Sequence, residues 1–190
     1  MARYQAVDRN SVLDAAELIV RTKGIAALTF DAVAKAAGIS KGGVQSSFGT
    51  KDRLIAAMYE RWGGEFEALV ARLAGPEPTP EALARAHVEG TRRTDKAEGD
   101  RAAGMMAALL NSPNHLKGVQ AWYKQRLDGI DTDSPEGRRI RLAFIACEGA
   151  FMLRYFGFMK ISQREWRELF ADILALMDGA APAMPAPSGA

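Results

Sequence analysis

The residues of this chain best placed to act on another molecule lie between Thr29 and Lys51, in the run TFDAVAKAAGISKGGVQSSFGTK. Their chemistry is ion pairing and hydrogen bonding with an outside partner rather than bond making. Lys41 and Lys51 supply ammonium groups, and Thr29, Ser40, Ser46 and Thr50 supply hydroxyls. Gln45 carries a side-chain amide, whose donor and acceptor match adenine in a major groove. Gly42 and Gly43 leave the backbone bare for close approach, at a helix-propensity cost of about 1 kcal/mol each relative to alanine.

These groups need short, sharply bounded elements to aim them, and the sequence encodes such elements. Thr29 is an N-cap for a helix with Phe30, Val33, Ala34 and Ala37 at helical spacing. Gly38 stops that helix, and Ser40 caps the next, over 41–48, whose narrow apolar seam is Val44 and Phe48. Helix, glycine-containing turn and second helix make a helix-turn-helix, whose second helix enters a DNA major groove. Thr50 opens a further helix, whose free amides and Lys51 favour a phosphate at its N-terminus. In front of this unit a helix over 11–23 presents Leu13, Ala16, Ile19 and Val20 and closes at Gly24. Residues 2–10 read as a frayed arm, with Arg3 and Arg9 reaching phosphate as the sharper alternative.

Composition bounds the function class. The net charge of +2 is too small to imply nucleic acid, but its distribution is informative. The first 53 residues hold eight basic and five acidic side chains, leaving 17 and 18 for the remainder. One cysteine, Cys147, excludes an internal disulfide and fits a reducing compartment. The first ten residues have no apolar segment of signal-peptide type, and the longest apolar run, 142–153, contains Glu148 and is too short to span a bilayer. A cytoplasmic protein with no membrane partner is expected.

Every later segment reads helical, so the fold class is all-α with about nine helices. The helix opened by Thr50 continues to Gly75, with Gly63-Gly64 as a place for a bend, and GPEPTP (75–80) is the clearest break. Helices follow over 80–93, 101–110 and from Asn114 to Leu127, with 92–100 as loop or helix end. The segment 135–158 is apolar nearly all round. Ile140, Phe144, Cys147, Phe151 and Tyr155 lie on one face, Leu142, Ile145, Gly149, Leu153 and Phe156 on the other, so one face suits a partner. The last helix covers 163–177, and the tail is rich in proline and small residues. The expected organisation is a helix-turn-helix domain over 1–53, a helical ligand-binding and dimerisation domain over 54–178, and a disordered tail over 179–190.

Residues 11–54 resemble the N-terminal domain of the TetR (tetracycline-repressor) family of bacterial transcriptional regulators. The matching pieces are Ala15-Ala16, Gly24 and LTFDAVAKAAGISKGGVQSSFGTKDRLI, about a quarter of the chain. The resemblance implies an Ω-shaped homodimer on a pseudo-palindromic operator, released when a small inducer in the C-terminal domain moves the fourth helix. It places Thr29 and Lys51 on phosphate contacts and Lys41, Gly43, Gln45 and Ser46 on the recognition surface. It assigns 135–158 and 163–177 to the dimer bundle. The chain departs from the family at Gln45 and Ser47, where tyrosine is frequent.

An apolar or amphipathic inducer would be lined by Met105, Met106, Leu109, Trp122, Tyr123, Phe144, Glu148, Phe151, Met152 and Tyr155. The same residues at helical spacing also suit an ordinary core. Glu148 would recognise a cation or hydroxyl on the ligand, or pair with Arg164 or Arg167, which the sequence favours. Cys147 reads as a small buried apolar residue. His87 and His115 are too few for a metal site of their own, so neither metal nor cofactor is expected, and catalytic constellations are lacking. The competing function is a DNA-binding regulator without a small ligand, controlled by a protein partner.

Overall fold

A computed structural model of the protein describes residues 8–109 and 113–180. Arg3, the break at 110–112 and the tail beyond 180 lie outside these residues. Among the described residues there are nine α-helices and no strand: α1 Arg9–Lys23, α2 Phe30–Ala37, α3 Lys41–Phe48, α4 Lys51–Ala74, α5 Pro80–Arg93, α6 Lys96–Leu109, α7 Pro113–Leu127, α8 Pro135–Tyr155 and α9 Gln163–Met177. No helix among them is long and apolar enough to cross a membrane.

The caps are those the sequence specifies. Thr29, Ser40 and Thr50 accept from the amides of Ala32, Gly43 and Arg53 at 3.1, 3.1 and 3.2 Å. Gly38 ends α2 in the left-handed region at φ 68°, where a Cβ would be strained. Two boundaries move. Asp8 accepts from the Asn10 amide at 3.0 Å and starts α1 before Ser11, so Arg9 is a helix residue rather than part of an arm. The polar KAEGD segment extends α6 back to Lys96, because these residues have adequate helix propensity without apolar periodicity. α4 continues as one helix through Gly63-Gly64.

The described residues form two compact units, one within Met1–Glu65 and Lys96–Val119, the other within Phe66–Asp95 and Gln120–Ala190. In the first, Val12, Leu13, Ala16, Ile19, Val20, Leu28, Val33, Val44, Phe48, Leu54 and Met58 make one buried core, completed by Met105 and Leu109 of α6. In the second, α8 packs on α5 and α9. Its buried face carries Ile140, Phe144, Cys147 and Phe151 opposite Trp166 and Phe170. The opposite face leaves Leu142 and Ile145 more than half exposed, at 55% and 56%. α9 begins with a capping box in which Ser162 and Glu165 satisfy each other's amides.

Gly137 holds the start of α8 against the preceding turn. A Cβ there would lie 1.9 Å from the Asp131 carbonyl oxygen, which the Ser134 amide and hydroxyl fix at 3.3 and 2.8 Å. Gly137→Ala is expected to destabilise the protein by about 3 kcal/mol, roughly a 6–12 °C fall in Tm. Gly63→Ala, where a Cβ meets nothing within 4 Å, should instead raise stability by about 1 kcal/mol. Thermal melts followed by circular dichroism check both signs.

Candidate nucleic-acid interface and effector site

The first unit presents the helix-turn-helix side chains together. Thr29, Ser40, Lys41, Gly42, Gln45, Ser46, Thr50 and Lys51 are exposed, and Gly43 is half-buried, while Val44 and Phe48 of the same helix are buried. The alternation follows from α3 having one thin apolar seam. The capping hydroxyls of Thr29, Ser40 and Thr50 act as acceptors toward amides, so each retains its own proton as a donor. The Lys41 ammonium rests 2.8 Å from the Asp31 carboxylate, with both side chains well exposed. Lys51 points at the Ile25 carbonyl at 3.5 Å.

Arg9 is used inside this unit. Its guanidinium donates to the Ser47 carbonyl at 2.6 Å and lies 4.3 Å from the Phe48 ring centroid. It thereby ties the start of α1 to the last turn of α3, a role the sequence reading missed. The signal was the aspartate before it, a good cap that lengthens the helix by two residues.

A charged network ties α1 to α4 and α6. Glu17, only 8% exposed, accepts from Arg61 Nε at 3.1 Å and from Arg101 Nη1 at 3.4 Å. Arg61 also reaches Asp14 at 2.7 Å, and Arg101 reaches Glu65 at 2.5 Å. A buried carboxylate is tolerated when it is paired and hydrogen-bonded, and two guanidinium groups meet that condition here.

The residues proposed from sequence to line an inducer cavity are divided by the structure. Met105 and Leu109 are 3% exposed in the core of the first unit, and Met106 is half-buried there. Trp122, Tyr123, Phe144 and Glu148 come together in the second unit around a residue the sequence reading set aside, His87. Phe151 and Tyr155 form a neighbouring aromatic pair with centroids 4.9 Å apart, the Tyr155 hydroxyl donating to the Thr94 carbonyl at 3.2 Å. Met152 is on the exposed side of α8.

The Glu148 carboxylate does not pair with Arg164 or Arg167. One oxygen is 2.6 Å from His87 Nε2 and the other accepts from the Tyr123 hydroxyl at 2.5 Å. Arg164 instead faces Glu168, four residues on along its own helix. The His87 ring is packed by Phe66, Trp122 and Phe144 at centroid distances of 5.1, 5.6 and 4.8 Å. Trp122 is itself fixed, its Nε1 donating to Glu67 at 2.7 Å and its ring lying 4.9 Å from the Arg126 guanidinium. Beside Glu148, Cys147 is fully buried, and desolvation pushes its thiol well above the ordinary range; the Glu148 charge adds to this and a hydrogen bond with Thr91 opposes it. The result is a carboxylate held by two aromatic-ring residues inside a largely dry, aromatic-walled environment. Such a site can bind a cation or a hydrogen-bond donor.

A helix-turn-helix head in an all-helical chain is the architecture of a DNA-binding regulator. Residues 12–58 match the model for bacterial regulatory proteins of the tetR family, and residues 81–178 match the tetracyclin repressor-like C-terminal domain. The chain belongs to the TetR family. No curated protein matches it. Among solved structures, a transcriptional regulator from Rhodococcus sp. Rha1 is similar at 19% identity and TM-score 0.68, covering 94% of this chain and 100% of that one. A TetR family transcriptional regulator from Pseudomonas syringae pv. tomato is similar at 19% identity and TM-score 0.64, covering 90% and 95%. The multidrug binding protein EbrR complexed with ethidium is similar at 22% identity and TM-score 0.61, covering 87% and 96%.

Proposed function

We propose that the protein is a dimeric transcriptional repressor that binds a pseudo-palindromic operator through α3 and is released by a small apolar or amphipathic inducer. The carrying observation is the joint exposure of Lys41, Gln45, Ser46 and Lys51 on one rigid head whose own core is complete behind them. In this reading Gln45 and Ser46 read bases, Lys41 and Lys51 with the capping hydroxyls hold phosphates, and Gly42 and Gly43 let the backbone approach. Dimerisation uses α8 and α9, with Leu142 and Ile145 exposed on the outer face of α8. The inducer is held in the second unit against Trp122, Phe144, Glu148 and Phe151. Support comes from the carboxylate among aromatic rings and from EbrR, which binds an aromatic cation on the same fold.

The alternative is a regulator without a small ligand, controlled by a protein partner. The observation favouring it is that both Glu148 oxygens are already bonded and His87 and Phe144 are each 2% exposed. Anisotropy titration with DNA from upstream of the protein's own gene tests operator binding. A thermal-shift screen of aromatic cations and uncharged amphiphiles then separates the two readings. Inducible repression requires a compound that both binds saturably and weakens the DNA complex; its absence across the screen would support the partner-controlled form.

A further inference from the structure

We propose that His87, Cys147 and Glu148 form a site for a divalent cation of the zinc type. The three residues are 60 and 61 positions apart along the chain, yet one ring nitrogen, the Cys147 Sγ and one carboxylate oxygen lie within 4.8 Å of one another. His87 stands on α5 and the other two on α8, helices packed directly together in the second unit. The donors therefore sit on rigid elements rather than on a loop.

Three features point to an ion rather than to a satisfied polar core. First, two of the candidate ligand atoms already face each other: His87, 2% exposed, has its Nε2 2.6 Å from a Glu148 oxygen. Second, Glu148 has His87 and Tyr123 as its bonded neighbours, and among the described residues no lysine or arginine is paired with it. A carboxylate only 15% exposed and without a permanently charged partner is costly, and a divalent ion supplies such a charge. Third, Phe66, Trp122 and Phe144 surround the ring, so a metal bond there would form in low dielectric, where it is strongest. Tyr123 holds the carboxylate in place and acts as a positioning residue.

The donor set selects the ion. Thiolate, imidazole and carboxylate together favour Zn(II), Co(II) or Ni(II), whereas Mg(II) and Ca(II) take oxygen donors. Bonds of about 2.0–2.3 Å require the three atoms to draw closer than they now stand. The ion takes the place of the proton between His87 Nε2 and Glu148, and the neutral ring then carries its proton on Nδ1. Cys147 enters as a thiol: its S–H bond breaks, the sulfur lone pair forms the metal–sulfur bond, and the proton leaves to solvent with no change of oxidation state. Three protein ligands leave the fourth tetrahedral position open.

The test uses the whole protein, stripped with chelator and titrated with Co(II) alone. Cys147 is the single cysteine in the sequence, so a thiolate-to-cobalt charge-transfer band reports on that residue and no other. The expected result is one Co(II) per chain, the charge-transfer band together with intense tetrahedral visible bands, and displacement of both by Zn(II). Cys147→Ser should abolish the charge-transfer band, and Glu148→Gln should weaken cobalt binding more than tenfold. Tyr123→Phe, which loosens the carboxylate, should weaken it about tenfold. These three substitutions are near-isosteric, and circular dichroism confirms that each variant is folded. Absence of the band in the wild type overturns the site. So does one ion shared by two chains, or calorimetric affinity unchanged in both Cys147→Ser and Glu148→Gln. The titration contains no DNA, so its failure leaves the repressor reading standing, and failure of operator binding leaves the metal site standing.

Discussion

Replacing Lys41 and Lys51 together by alanine will weaken operator binding by two to three decades at moderate salt while leaving the fold intact. Each lysine placed on a phosphate contributes about 0.9 to the slope of log affinity against log salt, so four such contacts across a symmetric dimer contribute about 3.6. At about 0.2 M salt that slope corresponds to a loss of roughly 300-fold. The structural cost is small by comparison. Among the described residues Lys41 pairs with Asp31, across an exposed bridge, and such bridges contribute about 0.2–1 kcal/mol. Lys51 makes one long contact to a carbonyl. The same bridge supplies a test of opposite sign. Asp31 competes with phosphate for the Lys41 ammonium, so Asp31→Asn should raise affinity and steepen the salt dependence. Anisotropy titrations at three salt concentrations measure both effects. Unchanged affinity in the double variant would remove α3 and the α4 N-terminus from the DNA face.

The shape of that helix-turn-helix was readable in the sequence because its geometry is set locally. Thr29, Ser40 and Thr50 each sit immediately before their helix, and Gly38 needs the left-handed region that its position supplies, so caps and turn fix α2, α3 and the start of α4 without help from distant residues. Periodicity located the buried seam of α3 and the inner face of α8 for the same reason. What escaped the sequence depends on partners far along the chain. Arg9 finds the Ser47 carbonyl 38 residues away, and Glu148 finds His87 61 residues away in preference to the arginines of α9. Helical spacing gives the face on which Glu148 lies. It gives no information about which element covers that face, and α5 covers it. The same limit explains Met105 and Leu109. Their spacing marks them as buried, but their destination, the core of the first unit, is decided by how α6 packs on α1.

The outer face of α8 raises the converse question, since its apolar residues have no cover among the described residues. Leu142→Glu with Ile145→Glu is expected to convert the dimer to a monomer and to abolish high-affinity operator binding. Both side chains are more than half exposed, and Met152 and Leu153 extend the apolar surface at 40% and 39%. In a two-fold interface each residue is buried twice, so the pair contributes four side chains. At about 1.5 kcal/mol or more for each side chain removed from water, these contribute about 6 kcal/mol, which is roughly four decades in dimer dissociation constant. The introduced carboxylates oppose their symmetry mates and add to the loss. Folding of the single chain should be nearly unaffected, because the substituted positions point away from the Phe144, Cys147 and Phe151 face that packs on α5 and α9. Analytical ultracentrifugation gives the mass, and thermal melts at matched concentration verify the fold. A variant that remains dimeric would move the interface off this face of α8. A monomeric variant that still binds a full operator as tightly would instead separate DNA recognition from dimerisation, because two half-sites held by independent heads lose the gain in effective concentration that linkage supplies.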